Sequence, residues 1–367
     1  MPSVHSGKLE RWLGPATIEQ LGKNMQGWYG PPIGCSNIPG QVYVTPDGDF
    51  IGKLDCGEHT SQFEYYMEKY KKWLWKLYTA SKSTANMAGF ASLSELISEA
   101  TTASKRQELI FLKTGVTGVA GSTTTLFRVG GQPASGVSVP SAPGGGVPGS
   151  GTQGALAMVP TSGGDTLHFV SANVVASVAG TLLLYDRIFQ VAKTMSSVAN
   201  EPVTGVPTRY QNTVAGTADS AEGNFLFIEC NTALGATAHN WNACKYTNHA
   251  GVSGTLPSLT GNASNIAWRL DMPAYWFAPL AAGDRGISNI LQMQCSASVT
   301  GGVDFVIGHP IAWITCAIAN VLSITDGVNG AFGLTRVFDN ACLALLDVAK
   351  TATTATNYSG SIVCVAG

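Results

Sequence analysis

Charge is scarce in this chain. Only 12% of its 367 residues are Asp, Glu, Lys or Arg, and 21 basic against 23 acidic side chains leave a formal net charge of -2. Soluble domains ordinarily carry about 25% charged residues. So neutral a chain has no basic face to follow a phosphate backbone, which excludes a sequence-specific nucleic-acid binder, and it lacks the charge excess of a disordered tail. Cysteine is sparse too: eight stand at positions 35, 56, 230, 244, 295, 316, 342 and 364, with no CxxC pair. That is too few for a disulfide scaffold, and runs such as Ile311-Ala312-Trp313-Ile314-Thr315-Cys316 predict reduced core thiols. No apolar run approaches the ~18 residues of a membrane span. The start, Met1-Pro2-Ser3-Val4-His5-Ser6-Gly7-Lys8, lacks the basic-then-apolar order of a signal peptide, so assembly in a cytoplasm is expected and a membrane partner is not.

What replaces charge is Gly, Ala, Ser and Thr, with 43 Gly, while apolar residues at 45% leave ample material for a core. The few charges are unevenly placed: 23 fall in residues 1–115 and 21 in the remaining 252. Within the first region, His59 to Tyr78 reads as a helix with Thr60 or Ser61 as cap and apolar positions at 63, 66, 67, 70, 74 and 77. A second amphipathic stretch, Ser92 to Leu112, predicts another helix through Leu93, Leu96, Ile97, Leu109 and Leu112.

Residues 116–164 reverse these signals. Pro133, Pro140, Pro143, Pro148 and Pro160 punctuate a Gly/Ser-rich tract centred on Pro143-Gly144-Gly145-Gly146-Val147-Pro148, read as a flexible linker or as an extended arm ordered by a neighbouring subunit. Residues 165–367 then present strand-like runs between turn residues. These are Thr166–Val174, Gly180–Phe189, Asn224–Cys230, Trp241–Asn248, Ala267–Met272, Ile287–Ala297, Val303–Ile307, Cys342–Val348 and Tyr358–Val365. The expected fold class is therefore mainly β, an antiparallel β-sandwich or jelly roll with an N-terminal helical region and a Pro/Gly-rich arm. No GxGxxG or GxxxxGK[ST] follows any of these runs, so a nucleotide-binding fold has no support, and there is no clean internal repeat.

Chemistry-bearing residues are thinly spread. The densest group of soft and imidazole donors is Cys230, His239, Cys244 and His249, a spacing that matches no compact zinc pattern. Residues five apart on one strand face opposite sides, so Cys244 and His249 are read as unrelated. The carboxylates are mostly isolated; Asp284-Arg285 reads as a loop ion pair or a turn-forming Asx, and Asp186-Arg187 as a local pair at a strand end. No Ser stands in a GxSxG elbow. The expectation is no catalytic, cofactor-binding or metal-binding residue. The aromatic group in the first helix is the exception to this blandness: Phe63, Tyr66, Tyr70, Trp73 and Trp75 are read as interface anchors, because Tyr and Trp favour interface cores.

A resemblance joins these readings. Ser162-Gly163-Gly164-Asp165-Thr166-Leu167, Val178-Ala179-Gly180-Thr181-Leu182-Leu183-Leu184-Tyr185-Asp186-Arg187 and Pro207-Thr208-Arg209-Tyr210 occur in that order. They are followed by Ala233-Leu234-Gly235-Ala236-Thr237-Ala238, Tyr246-Thr247-Asn248-His249-Ala250-Gly251, Pro279-Leu280-Ala281-Ala282-Gly283-Asp284-Arg285-Gly286 and Ala341-Cys342-Leu343-Ala344-Leu345. This series resembles tailed-bacteriophage virion structural proteins, over residues 160–367. The resemblance implies a capsid cement or decoration protein in the virion, assembled in the host bacterial cytoplasm, with other capsid or virion proteins as partners and no catalytic residues to carry over. A homo-oligomer is expected, with a trimer favoured. The alternatives are a major capsid shell subunit and a tail or fibre receptor-binding protein.

Overall fold

The computed structural model describes Tyr43–Val44, Phe50–Ile51 and residues 89–367 other than 138, 162–164, 215, 273–275 and 330–333. The chain divides into two units, Met1–Ala85 and Asn86–Gly367. In the first, β1 (Tyr43–Val44) and β2 (Phe50–Ile51) pair antiparallel, Tyr43 facing Ile51 and Val44 facing Phe50. The helix expected over 59–78 lies outside the described residues.

The second unit begins with α1 (Leu93–Thr101), β3 (Arg106–Val116), β4 (Thr124–Thr125), β5 (Gly131–Gln132), β6 (Leu167–Ala176) and β7 (Gly180–Thr194). It continues with β8 (Glu201–Pro202), β9 (Phe225–Thr232), β10 (Asn240–Trp241), β11 (Lys245–Asn248), β12 (Ser253–Thr255), β13 (Leu259–Thr260) and β14 (Ile287–Met293). The remaining strands are β15 (Gly302–Cys316), β16 (Leu322–Asp326), β17 (Arg336–Val337), β18 (Leu343–Lys350) and β19 (Thr356–Ala366). Among the described residues the fold is mainly β, 44% strand against 3% helix, built from antiparallel sheets in a sandwich.

Three layers follow from the side-chain periodicity. The middle sheet has the order β4-β18-β7-β15-β9, and the outer sheets are β16-β6-β19-β3-β5, with β17 also on β6, and β12-β11-β14-β8. Alternate residues of β7 point to opposite faces. Leu182 and Leu184 join Phe111, Phe169, Ala172, Ile362 and Leu345 in one core; Leu183 and Tyr185 join Phe227, Tyr246, Ile290 and Phe305 in the other. A strand buried on both sides has no polar alternation to show, which is why Leu182-Leu183-Leu184-Tyr185 reads as one continuous apolar run. Pro310 is accommodated in β15 where the ladder to β7 slips between Pro310 and Ala312.

The helix expected over Ser92–Leu112 is real only at its start. Ser92 caps α1, its Oγ accepting from the Glu95 N–H at 3.1 Å, while the Glu95 carboxylate reaches back past the cap to accept from the Ala91 N–H at 2.6 Å. Thr102 is already extended, and from Arg106 the chain is strand: Leu109 and Phe111 face the core while Ile110 and Leu112 face outward. Leu109 and Leu112, three apart, fit a helical face by spacing, yet the uninterrupted Leu109-Ile110-Phe111-Leu112 fits a strand better. The boundary expected at residue 115 accordingly falls inside β3. The stretch Ala267–Met272, expected as a strand, holds only isolated bridges, Arg269 to Thr124 and Leu270 to Glu229.

The Gly/Pro tract is not a free linker. It lies on the middle sheet of its own chain, with bridges Ser141–Ala192, Gly144–Thr204 and Gly146–Gln190. Its glycines permit this contact: a Cβ on Gly145 would stand 2.0 Å from Cζ of Phe189. Absence of side chains, which deprives the tract of a core of its own, is what lets its backbone lie flat on aromatic rings.

Candidate functional site

Phe63, Tyr66, Tyr70, Trp73 and Trp75 lie outside the described residues. The Cys/His group takes separate partners. Cys230 accepts from Asn265 Nδ2 at 3.1 Å, Cys244 Sγ donates to the carbonyls of Asn242 and Gln294, and His249 Nδ1 accepts from the Arg285 N–H at 3.2 Å. Among the described residues, no three His, Cys, Asp or Glu side chains come together as a metal site. The six described cysteines are all buried free thiols.

His239 shows what its neighbourhood is built for. Its Nε2 is 2.8 Å from Asp271 Oδ2, its Nδ1 is 3.2 Å from the Thr237 carbonyl, and the same Asp271 oxygen accepts from Trp241 Nε1 at 2.8 Å. Both ring nitrogens therefore face acceptors. Burial pushes the imidazole pKa down, but the hydrogen bond and charge of Asp271 outweigh it and leave it raised. A protonated His239 donates on both sides, to Asp271 and to the Thr237 carbonyl.

Two expected local ion pairs are corrected. Neighbours on a strand point apart, so Asp186 and Arg187, both fully buried in mid β7, look in opposite directions. Asp186 binds Arg209 through Nε at 2.7 Å and Nη2 at 2.8 Å and accepts from the Cys342 N–H at 2.8 Å. Asp284 accepts from Asn248 Nδ2 at 2.7 Å and from the Tyr246 hydroxyl, while Arg285 turns to Glu222 at 2.6 Å.

Arg187 belongs to a buried network of four charges. It grips Glu229 with Nη2 at 2.7 Å and Nη1 at 3.1 Å, and its guanidinium lies 4.3 Å from the Phe127 ring centroid. Arg128, from the Gly/Pro tract, donates through Nε to Glu229 at 2.9 Å and through Nη2 to Asp304. Glu229 and Asp304 sit directly opposite each other on β9 and β15. Burial pushes both carboxyls up; for Glu229 the two guanidinium charges prevail and hold it down at about 2. For Asp304, burial and the adjacent Glu229 charge leave it at about 6. A cleft of about 370 Å³ opens beside this network, lined by Arg128, Ser141, Lys193 and Asn231 among others. Arg128 is committed to Glu229 and Asp304, which fastens the tract to the sheet, and Lys193 is committed to Glu201 at 2.6 Å, which ties β7 to β8.

The outward face of the β16-β6-β19-β3 sheet is different in kind. Leu112, Ser359, Val175 and Leu322 lie side by side across the four strands, and Ile110, Ser361, Asn173 and Ile324 form the next row. Ile110, Leu112, Leu322 and Ile324 are 64%, 45%, 54% and 67% exposed. Two apolar stripes thus flank a furrow of small, mostly polar side chains. The helix α1 covers the far end of this face, where Leu96 and Phe90 pack on Val365. Its own Leu93 and Ile97, one turn apart, remain exposed. Sequence reading missed this face because Leu322-Ser323-Ile324-Thr325-Asp326 alternates like an ordinary half-buried strand, and alternation does not say which side is wet.

No family model matches the chain, and no curated protein matches it. Among solved structures, that of infectious bursal disease virus, Gt strain, is similar at 9% identity over 71% of this chain and 80% of that one, with a TM-score of 0.16. A mutant VP2 protein of the same virus in derived T=1 particles gives 10%, 77%, 82% and 0.16 in the same terms. The VP2 subviral particle gives 8%, 71%, 80% and 0.14. Likenesses of this size carry no argument.

Proposed function

We propose that this chain is a structural subunit of a virion, a capsid cement or decoration protein that bridges shell subunits and works by holding copies of itself and neighbouring virion proteins together. The observation that carries this reading is the sheet face, uncovered among the described residues, with its exposed Ile110, Leu112, Leu322 and Ile324. Clustered apolar exposure of this kind marks an interaction surface, and its low charge suits repeated close packing. Support also comes from the use of ionisable groups: Arg128, Arg187, Glu229 and Asp304 are spent on fastening the Gly/Pro tract to the middle sheet and strands of that sheet to one another. The resemblance to tailed-bacteriophage virion proteins supplies the virion setting and the host cytoplasm as place of assembly, and closed homo-oligomers, trimers above all, are part of the same proposal. Quantitative mass spectrometry of purified particles tests it. The chain should be present in a fixed, high ratio to the shell and should leave with external proteins under mild stripping. A chain absent from particles, and monomeric when purified alone, refutes the reading.

A further inference from the structure

We infer that the free edge of β16 is a pairing site for a second copy of this chain, joined edge to edge across a two-fold axis. This deepens the assembly reading above and rests on it. Strand β16 ends the order β16-β6-β19-β3-β5, so among the described residues one side of its backbone has no strand partner. Which groups lie on that side follows from the ladder. The Gly327 N–H donates to the Val170 carbonyl at 2.7 Å, one step beyond the pair Asp326–Ser171. Hydrogen-bonded and non-bonded pairs alternate in an antiparallel ladder. Residues 323 and 325 therefore bond to β6, while the N–H and carbonyl groups of Leu322, Ile324 and Asp326 point away from it.

The same residues carry the exposed side chains. Leu322 and Ile324 stand on the open face, and the preceding turn adds Ile318 at 63% and Val321 at 48% exposure. Edge strands of folded proteins are ordinarily blunted with Lys, Pro or a bulge. Residues 317–325 contain no ionisable side chain and no proline, and the β16–β6 register runs unshifted. This edge is open, flat and apolar.

Charge decides the occupant. A strongly charged partner finds nothing to complement between residues 317 and 325, whereas a second copy offers the same neutral strip. In the register that sets Leu322 opposite Ile324 of the other copy, Leu322 and Ile324 of each strand form bonded pairs. Their side chains then meet in one apolar cluster on the open face. The Asp326 side chains fall six residues apart, about 20 Å at strand rise, beyond the ~8 Å screening length, so like charge does not oppose the union.

The test is sedimentation equilibrium and amide hydrogen exchange on the full chain, wild type against Ile324→Lys, with Leu112→Lys as a control on the same face away from the edge. Wild type should show a pairwise association step, with amides of Leu322 and Ile324 protected as concentration rises. Ile324→Lys should weaken that step by roughly a hundredfold or more, since two lysines enter one neutral cluster, while Leu112→Lys leaves it within about threefold. Undiminished pairing in Ile324→Lys overturns the edge contact and leaves the virion assignment standing if the chain is still found in particles. Edge amides protected in a monomer, which would mean that the chain covers its own edge, overturn it as well. Equal weakening by both variants points to the whole face and overturns the edge-to-edge register. Absence from particles together with intact pairing refutes the virion assignment alone.

Discussion

Replacing Glu229 with Gln probes the buried charge network with almost no change of shape. In the native chain this carboxylate receives both Nη atoms of Arg187 and Nε of Arg128, and it is fully buried. Its pKa falls from 4.5 to about 2, as the two guanidinium charges overcome the burial that alone would raise it. That difference is worth about 3 kcal/mol of preference for the ionised form, within reach of the ~3–5 kcal/mol that losing one partner of a buried pair usually costs. After the substitution, two guanidinium groups share Asp304, which loses its negative neighbour and falls below about 6. Urea unfolding of the full chain at pH 7, followed by tryptophan fluorescence, should show Glu229→Gln less stable by about 3 kcal/mol with an unchanged denaturant slope. The sign of the pH dependence follows from a lowered native pKa. The contribution of Glu229 is complete above about 4.5 and is lost as pH falls toward 2, so the gap between the two proteins should narrow in that window. A variant within ~1 kcal/mol of wild type at pH 7, or a gap that widens on acidification, would refute the reasoning.

His239 predicts the opposite pH dependence. With its native pKa raised by Asp271, its stabilisation is complete below the ordinary 6.5 and fades as pH rises through the native value. Unfolding curves of wild type and Asp271→Asn between pH 5 and 8 check this, and equal slopes would count against it. Gly145→Ala places a methyl 2.0 Å from Phe189 Cζ and should cost about 1–3 kcal/mol while exposing residues 140–150 to protease; a neutral effect would mean that the tract does not lie on the ring. Burial pushes the thiols of Cys342 and Cys364 up to about 12, so neither should alkylate at neutral pH before unfolding. Peptide mapping that finds either one modified in the native protein contradicts their burial.

Fold class was legible because turn residues bracket most long strands: β6, β7, β9, β18 and β19 each fall on a run visible in the sequence. What the sequence conceals is pairing at a distance. Arg128 and Glu229 stand 101 positions apart, and Arg187 and Glu229 stand 42 apart, so adjacency misled the reading of Asp186-Arg187. The Gly/Pro tract was misjudged for a related reason. Its order comes from Phe189 and the backbone of β7, and a window of composition registers only what the tract itself lacks. The candidate surface was the least visible feature, since Ile324 and Leu322 are ordinary strand residues until the sheet assigns them a side.

The position of β19 bears on when this surface comes into being. Residues 356–366 lie between β6 and β3, pairing with both. Until the ribosome has delivered them, the segments at 106–116 and 167–176 have no ladder to share, and their contacts close loops of roughly 190 to 250 residues, a slow kind of closure. The layer that carries the adhesive edge is thus completed late, so a nascent chain is poorly equipped to grip its siblings on the same messenger. Under the assembly proposed above, that delay guards against premature clumping.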